Sequence, residues 1–167
     1  CTNGKTTTTR IINSTLSKMG YCVGMTSTDG IYINGACIDN GDDTGFESAK
    51  CVLFNKDVDV AVLETARGGI IRKGLAYDLA DVAVVKSLVA EAVKEDGYVV
   101  INADDEWSKK IISRINANII YFSKDYNNEL IINNESKNSI AVYLKDDYIC
   151  VKNFGKEYKI ISVKNIP

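Results

Sequence analysis

The sequence predicts an α/β fold: a mostly parallel sheet with flanking helices, extended at its carboxy-terminal end by a small antiparallel meander. Two observations carry this. Through the first two thirds of the 167 residues, short apolar runs of strand length alternate with segments of helical period, the pattern of parallel strands joined by helical crossovers. From Ser139 onward the pattern changes to segments that alternate apolar and polar residues around tight turns, which reads as antiparallel strands. One proline, and no stretch rich in serine and glycine, leave no obvious linker.

The elements follow in order. Lys5 to Met19 carries Ile11, Ile12, Leu16 and Met19 at helical spacing, and Gly20 ends it. Tyr21 to Thr26 reads as a buried strand. Ile31 to Ile33 and Ala36 to Ile38 flank Asn34-Gly35, the pair favoured in a type I′ hairpin turn. A helix is expected over Glu47 to Phe54 and a strongly apolar strand over Val58 to Leu63, running out on Glu64. Then come a strand at Asp81 to Val85, a helix at Lys86 to Val93, a strand at Tyr98 to Ile101, a helix at Glu106 to Ile115 and a strand at Ile119 to Phe122. The meander comprises Ser139 to Leu144, Tyr148 to Lys152 and Tyr158 to Val163, turning at Asp146-Asp147 and Phe154-Gly155.

Composition narrows the chemistry. The chain has no histidine, which removes Ser-His-Asp and Cys-His nucleophilic sites, HExxH zinc sites and a histidine general base. Five cysteines, an odd number with no CxxC pair, read as reduced packing residues rather than a disulfide framework or zinc site. A net charge of −2 lacks the basic excess of a nucleic-acid surface, so no nucleic-acid partner is expected. No apolar run reaches the about 18–20 residues that cross a bilayer, and no signal peptide opens the chain, so a cytoplasmic protein without a membrane partner is expected.

The sharpest local signal is Thr2-Asn3-Gly4-Lys5-Thr6-Thr7 leading straight into a helix. A helix start concentrates unpaired N–H groups and positive partial charge, which suits a phosphate. Gly4 allows close backbone approach, Lys5 can reach terminal phosphates, and the Thr6 hydroxyl can ligate Mg²⁺. The alternative is a threonine-rich cap before a surface helix. Three further polar clusters stand at strand ends, where open α/β sheets gather ligands: Thr26-Ser27-Thr28-Asp29-Gly30, Glu64-Thr65-Ala66-Arg67-Gly68-Gly69 and Asn102-Ala103-Asp104-Asp105. Glu64, leaving a buried strand, suits Mg²⁺, a hard cation that prefers oxygen. Taken singly, these clusters could equally be a turn, a paired strand-end carboxylate and a helix cap.

Together these motifs resemble the central ATP-binding domain of Mur-type amide ligases, a P-loop NTPase-like fold. Thr26-Ser27-Thr28-Asp29-Gly30-Ile31-Tyr32, Gly41-Asp42-Asp43-Thr44-Gly45 and Glu64-Thr65-Ala66-Arg67-Gly68-Gly69-Ile70 are most similar to the cyanophycin synthetase branch. The resemblance covers nearly the whole chain. It implies ATP-dependent amide bond formation through an acyl phosphate, with ATP and Mg²⁺ as cofactors and, in that branch, arginine joined to the side-chain carboxylates of a polyaspartate backbone. Muramyl peptide or folate ligases, and a catalytically silent nucleotide-binding scaffold, remain the alternatives. By matching position, the resemblance implies that Thr2, Asn3, Gly4, Lys5, Thr6 and Thr7 cradle the phosphates, with Thr6 and Glu64 on the metal. Asn102 would face the adenine with Asp105 near it, and Thr28, Asp29 and Arg67 would lie towards the acceptor carboxylate. Lys86 falls where the family has a lysine that can be carbamylated; an ordinary helix-start lysine is the equal alternative.

Three departures stand against the family pattern. Cys1 occupies a position that is usually glycine, and the strand before the phosphate loop and the closing carboxy-terminal domain are not in this sequence. Between Val85 and Lys86 the family has a loop with an Asp-His-Leu-Gly motif, whereas here an apolar strand passes into a helix with no turn residue. A segment on the order of twenty residues is therefore expected to be missing there. Residues 1–167 are expected to be one incomplete central domain whose isolated form is inactive. The resemblance further implies an ATP-grasp domain in the same full-length chain, and it leaves homo-oligomerisation open.

Overall fold

The computed structural model describes residues 4–85, 90, 92–134 and 139–166. The chain divides into two units, Cys1–Tyr77 and Asp78–Pro167, and the hydrogen-bonded strands form one sheet in each.

In the first unit, helix α1 (Lys5–Lys18) leads into β1 (Val23–Ser27), the hairpin β2 (Gly30–Ile33) and β3 (Ala36–Asp39), helix α2 (Phe46–Leu53), β4 (Val60–Leu63) and helix α3 (Arg67–Lys73). The sheet order is β3-β2-β1-β4, with β1 antiparallel to β2 and parallel to β4. β1 is buried along its whole length, and α1 and α2 both pack on it. The hairpin turns as expected, with Asn34 and Gly35 at φ 48° and 81°, the left-handed pair that a type I′ turn requires.

The buried stripe of α1 differs from the expected one. Ile11 and Met19 are exposed, whereas Thr9 is buried and Ile12 and Leu16 are half-buried. Thr9, Ile12 and Leu16 keep the i, i+3, i+7 spacing, so the helix is rotated towards its threonines. Gly24 explains how close α2 comes to β1. A Cβ there would lie 2.4 Å from Val52 Cγ1 and 2.9 Å from a Val58 methyl. Gly24→Ala is expected to destabilise the chain by about 1–3 kcal/mol through overpacking, measured by chemical denaturation; an unchanged midpoint would refute that packing.

The second unit holds β5 (Ala80–Val85), β6 (Val93–Asn102), helix α4 (Glu106–Ile111), β7 (Asn118–Ser123), helix α5 (Glu129–Ile132), β8 (Ser139–Lys145), β9 (Tyr148–Asn153) and β10 (Lys156–Ser162). Strands β5 to β8 pair in parallel, and β8-β9-β10 form the expected antiparallel meander. Its two turns, Asp146-Asp147 and Phe154-Gly155, have positive φ at both residues, so all three short hairpins use the same left-handed geometry. Ala83, Val99, Ile101, Tyr121, Ala141, Tyr143 and Cys150 share the buried face of this sheet. Val82, Tyr98 and Phe122 stand exposed on the other.

Several expectations change here. Lys86 to Val89 and Glu91, most of an expected helix, lie outside the described residues. Val93, placed at the end of that helix from its pattern, instead pairs with Ala80 at the start of β6. The register then jumps to Val82 with Tyr98, and a Cβ on Gly97 would meet the Asp81 carbonyl oxygen at 2.5 Å. The helix expected to reach Ile115 ends at Ile111 and tightens into a 3₁₀ turn over Ile112–Arg114. Helices α3 and α5 were not expected. α3 contains Gly68-Gly69, poor helix formers, and Gly69 packs beside the Thr44 carbonyl, 3.4 Å from where a Cβ would stand, an ordinary contact distance. α5 is capped by Asn128, whose Oδ1 accepts from the Leu130 N–H. Of the cysteines, Cys150 packs in the core, but Cys37 and Cys51 are exposed thiols rather than packing residues; Cys1 lies outside the described residues.

Candidate active site

The first unit gathers a polar cluster where β1, β4 and α1 meet. Gly4 precedes α1 at φ 96°, a conformation glycine adopts without strain. Among the described residues no side chain caps the helix, and no acidic residue stands in its first turn. Thr6, in that turn, donates from Oγ1 to Glu64 Oε1 at 3.1 Å and lies 3.1 Å from Thr28 Oγ1. Lys5 Nζ stands 3.9 Å from the same Glu64 oxygen. Parallel pairing explains the meeting: Thr26 is opposite Leu63, and the Glu64 N–H continues the ladder to the Thr26 carbonyl, bringing Thr28 and Glu64 to one end of the sheet.

Glu64 is the unusual member. Its side chain is 1% exposed, and Oε2 is buried without a hydrogen-bond partner among the described residues. A buried carboxylate oxygen left unpaired costs about 1–3 kcal/mol or more, so the arrangement makes sense as half of a site. Among the described residues no three carboxylates, cysteines or histidines cluster as a metal cage. Mg²⁺ does not need one, because it takes one or two protein oxygens and fills its octahedron with phosphate and water. The Thr6 hydroxyl and the Glu64 carboxylate therefore fit Mg²⁺.

The remaining expected residues distribute as follows. Asp29 forms an ion pair with Arg10 at 2.6 Å, which ties the turn after β1 to α1. Arg10 escaped the sequence reading, although its position four residues after Thr6 puts both on one helix face. Thr7 is exposed in the first turn of α1. Arg67 opens α3, with no hydrogen bond or ion pair to Thr6, Thr28 or Glu64 among the described residues. Thr2, Asn3 and Lys86 lie outside the described residues.

In the second unit, Asn102 ends β6 and Asp105 precedes α4. The Asn102 Oδ1 accepts from the Asp104 N–H at 3.0 Å. The Asp104 carboxylate receives the Ser123 hydroxyl at 2.5 Å, the Asn128 amide at 3.2 Å and the Lys124 N–H at 3.0 Å. Burial pushes the Asp104 pKa up, but these donors outweigh it and leave the carboxyl below its ordinary value.

The family model of the Mur ligase middle domain matches residues 2–88, more than half of the chain. The chain belongs to the Mur ligase middle domain family. Among curated proteins it is 42% identical to the cyanophycin synthetase of Synechocystis sp. over 172 residues, taking in 90% of this chain and 20% of that one. It is 38% identical to the cyanophycin synthetase of Geminocystis herdmanii over 188 residues, taking in 99% of this chain and 22% of that one. The chain thus spans about a fifth of these relatives. The second match runs over 188 positions against 167 residues here, so that relative carries residues inside the matched span that have no counterpart in this chain.

A solved UDP-N-acetylmuramoyl-L-alanyl-D-glutamate–2,6-diaminopimelate ligase shares the fold, with a TM-score of 0.64 at 18% identity over 96% of this chain and 37% of that one. The Mur ligase α/β architecture is therefore present, with both parallel and antiparallel pairing in each sheet. Among the described residues no helix is long and apolar enough to cross a membrane. Around the Asn102-Ala103-Asp104-Asp105 cluster the structure adds Ser123 and Asn128, which donate to Asp104 and were not singled out from the sequence. The adjacent aspartates 104 and 105 were a signal, but only folding shows which of them clamps the next strand end.

Proposed function

We propose that this chain is the ATP-binding part of an amide-bond-forming ligase that activates a carboxylate as an acyl phosphate. The observation that carries the reading is the Thr6–Glu64 pair, with an unpartnered buried carboxylate oxygen, beside the uncapped start of α1 and the Lys5 ammonium. In the reaction, a carboxylate oxygen of the acceptor attacks the γ-phosphorus and the bond to the bridging oxygen breaks, releasing ADP. The amine of the incoming amino acid then attacks the acyl carbon, phosphate leaves with the bonding pair, and the amine loses a proton to solvent.

Mg²⁺ bound at Thr6 and Glu64 would supply positive charge to the phosphates. Around it, the chain's own residues orient and shield. The Lys5 ammonium and the positive end of α1 offset the repulsion between two anions, while buried Glu64 keeps water from one side of the site.

The similarity to two cyanophycin synthetases supports arginine as the incoming amino acid and the aspartate side chains of a polyaspartate backbone as acceptor. Thr28 and Asp29, with Arg67, would face that acceptor, and Asn102 with Asp105 the adenine. Lys86 is proposed as the carbamylated lysine at the metal site, and the additional residues of the relative support a missing segment, which the abrupt junction between Val85 and Lys86 would accommodate. The small share of the relatives covered supports further domains, an ATP-grasp domain included, in the complete cytoplasmic enzyme.

The test is ADP release by the full-length protein with Mg-ATP, an aspartyl-polymer acceptor and arginine, with hydroxylamine added to trap the acyl phosphate as a hydroxamate. Release that requires the acceptor, and a hydroxamate in place of product, are expected. Turnover with muramyl peptides or folates instead would reassign the substrate, and Mg-ATP binding that no amino acid or acceptor turns into hydrolysis would leave only a nucleotide-binding scaffold.

A further inference from the structure

We propose that Arg10 binds the backbone carboxylate of an acceptor chain that ends in aspartate, and that Asp29 holds the guanidinium in place for it. This rests on the reading of the chain as a ligase with an aspartyl acceptor.

The residues all belong to the first unit. Thr6 and Arg10 stand one turn apart on the same face of α1, about 5.4 Å along its axis. The turn after β1 meets that face. Thr28 Oγ1 lies 3.1 Å from Thr6 Oγ1, and the next residue, Asp29, accepts from Arg10 Nη2 at 2.6 Å. The Asp29 backbone is itself tied down, its N–H donating to Ser27 Oγ at 3.2 Å. Arg10 is thus anchored one helical turn from Thr6, whose hydroxyl and partner Glu64 fit Mg²⁺.

Charge decides what this pair can do. The acceptor is an anion, so Asp29 alone would repel it, and the cation beside Asp29 reverses that. Among the described residues Arg10 makes one hydrogen bond, which leaves the rest of its five N–H donors available. Its side chain is 56% exposed, so those donors face solvent. An exposed ion pair adds little to a fold. A guanidinium oriented by one carboxylate and open to a second suits recognition of an anion.

Aspartate supplies that second carboxylate by its own geometry. Its side-chain and backbone carboxyl carbons are separated by three bonds, at most about 4 Å. When the side chain of a terminal aspartate reaches the Thr6–Glu64 metal site, its backbone carboxylate lies within a helical turn of it, the distance at which Arg10 stands.

The experiment compares two acceptors on the full-length protein: an aspartyl peptide with a free carboxyl terminus, and the same peptide as its carboxamide. ADP release with Mg-ATP and arginine gives a KM for each acceptor and for Mg-ATP. In the natural sequence, amidation is expected to raise the acceptor KM about tenfold, the loss of one charge-assisted pair. Arg10→Gln is expected to raise the KM of the free-acid peptide about tenfold and to leave those of the carboxamide and Mg-ATP unchanged, because residue and carboxylate act through one contact. Asp29→Asn breaks the same ion pair but keeps the cation, so it should retain the preference for the free acid. Equal weakening of both peptides by Arg10→Gln, or an equal loss of the preference in Asp29→Asn, would show that the ion pair only braces the turn and would overturn the proposal. If the natural sequence accepts both peptides equally, the ligase reading stands and the proposal alone fails. If it turns over neither, the ligase reading fails and takes the proposal with it. Should Arg10→Gln not fold, Arg10→Lys keeps the charge, loses the planar fork and is judged by the same outcomes.

Discussion

Lys5→Ala is expected to abolish the rise in melting temperature that Mg-ATP confers. A nucleotide at a hundred times its dissociation constant stabilises its host by about 2.7 kcal/mol, an effect large enough to see as a thermal shift. The positive end of α1 supplies only about 0.3–1 kcal/mol per charge, up to ~2 when partly buried, so it cannot hold a triphosphate without the lysine. Lys5 also stands 3.9 Å from Glu64, so its removal deprives a buried carboxylate of a counter-charge and should lower the melting temperature of the nucleotide-free protein as well. The informative quantity is the shift each variant shows relative to its own nucleotide-free baseline. An undiminished shift in Lys5→Ala would remove the phosphate-loop assignment.

Glu64→Gln should move affinity and stability in opposite directions. Mg-ATP binding is expected to weaken by about tenfold or more, because a charged oxygen ligand of a hard cation becomes a neutral one, while metal-free ATP binds much as before. Without ligand, the same change replaces a buried charge whose Oε2 has no partner by a neutral amide of the same shape. Relieving that desolvation should stabilise the empty fold by about 1–3 kcal/mol, partly offset by the lost pairing with Lys5. Calorimetry with and without Mg²⁺, alongside thermal unfolding, reads both effects. Equal weakening of the two nucleotide forms would argue against metal ligation at Glu64, and a lowered melting temperature would show that the carboxylate serves the fold rather than the site.

Both predictions depend on a residue whose type was legible in the sequence and whose situation was not. An apolar strand running into a carboxylate marked Glu64 as a candidate ligand, and Gly-Lys-Thr before a helix marked Lys5 and Thr6. The missing information was mutual position. Glu64 is 58 residues from Thr6 in sequence, and only the parallel pairing of β1 with β4 brings their side chains to 3.1 Å. Arg10 illustrates the complementary blind spot: it reads from sequence as an ordinary surface charge and finds its partner, Asp29, 19 residues away.

The hairpins, the order of the strands and the α/β class with its closing meander were determined by the sequence itself. They depend on local quantities: the preference of Asn34-Gly35 for positive φ, the alternation from Ser139 onward, the period of the apolar residues. What only tertiary structure decided is which residues of each element face inward and which loops join. α1 buries Thr9 rather than Ile11, α3 forms across the Gly68-Gly69 pair, and Val93 leaves a helical pattern to pair with Ala80. In each case local preferences differ by about 1 kcal/mol or less per residue, and the burial and strand pairing that override them involve residues remote in sequence.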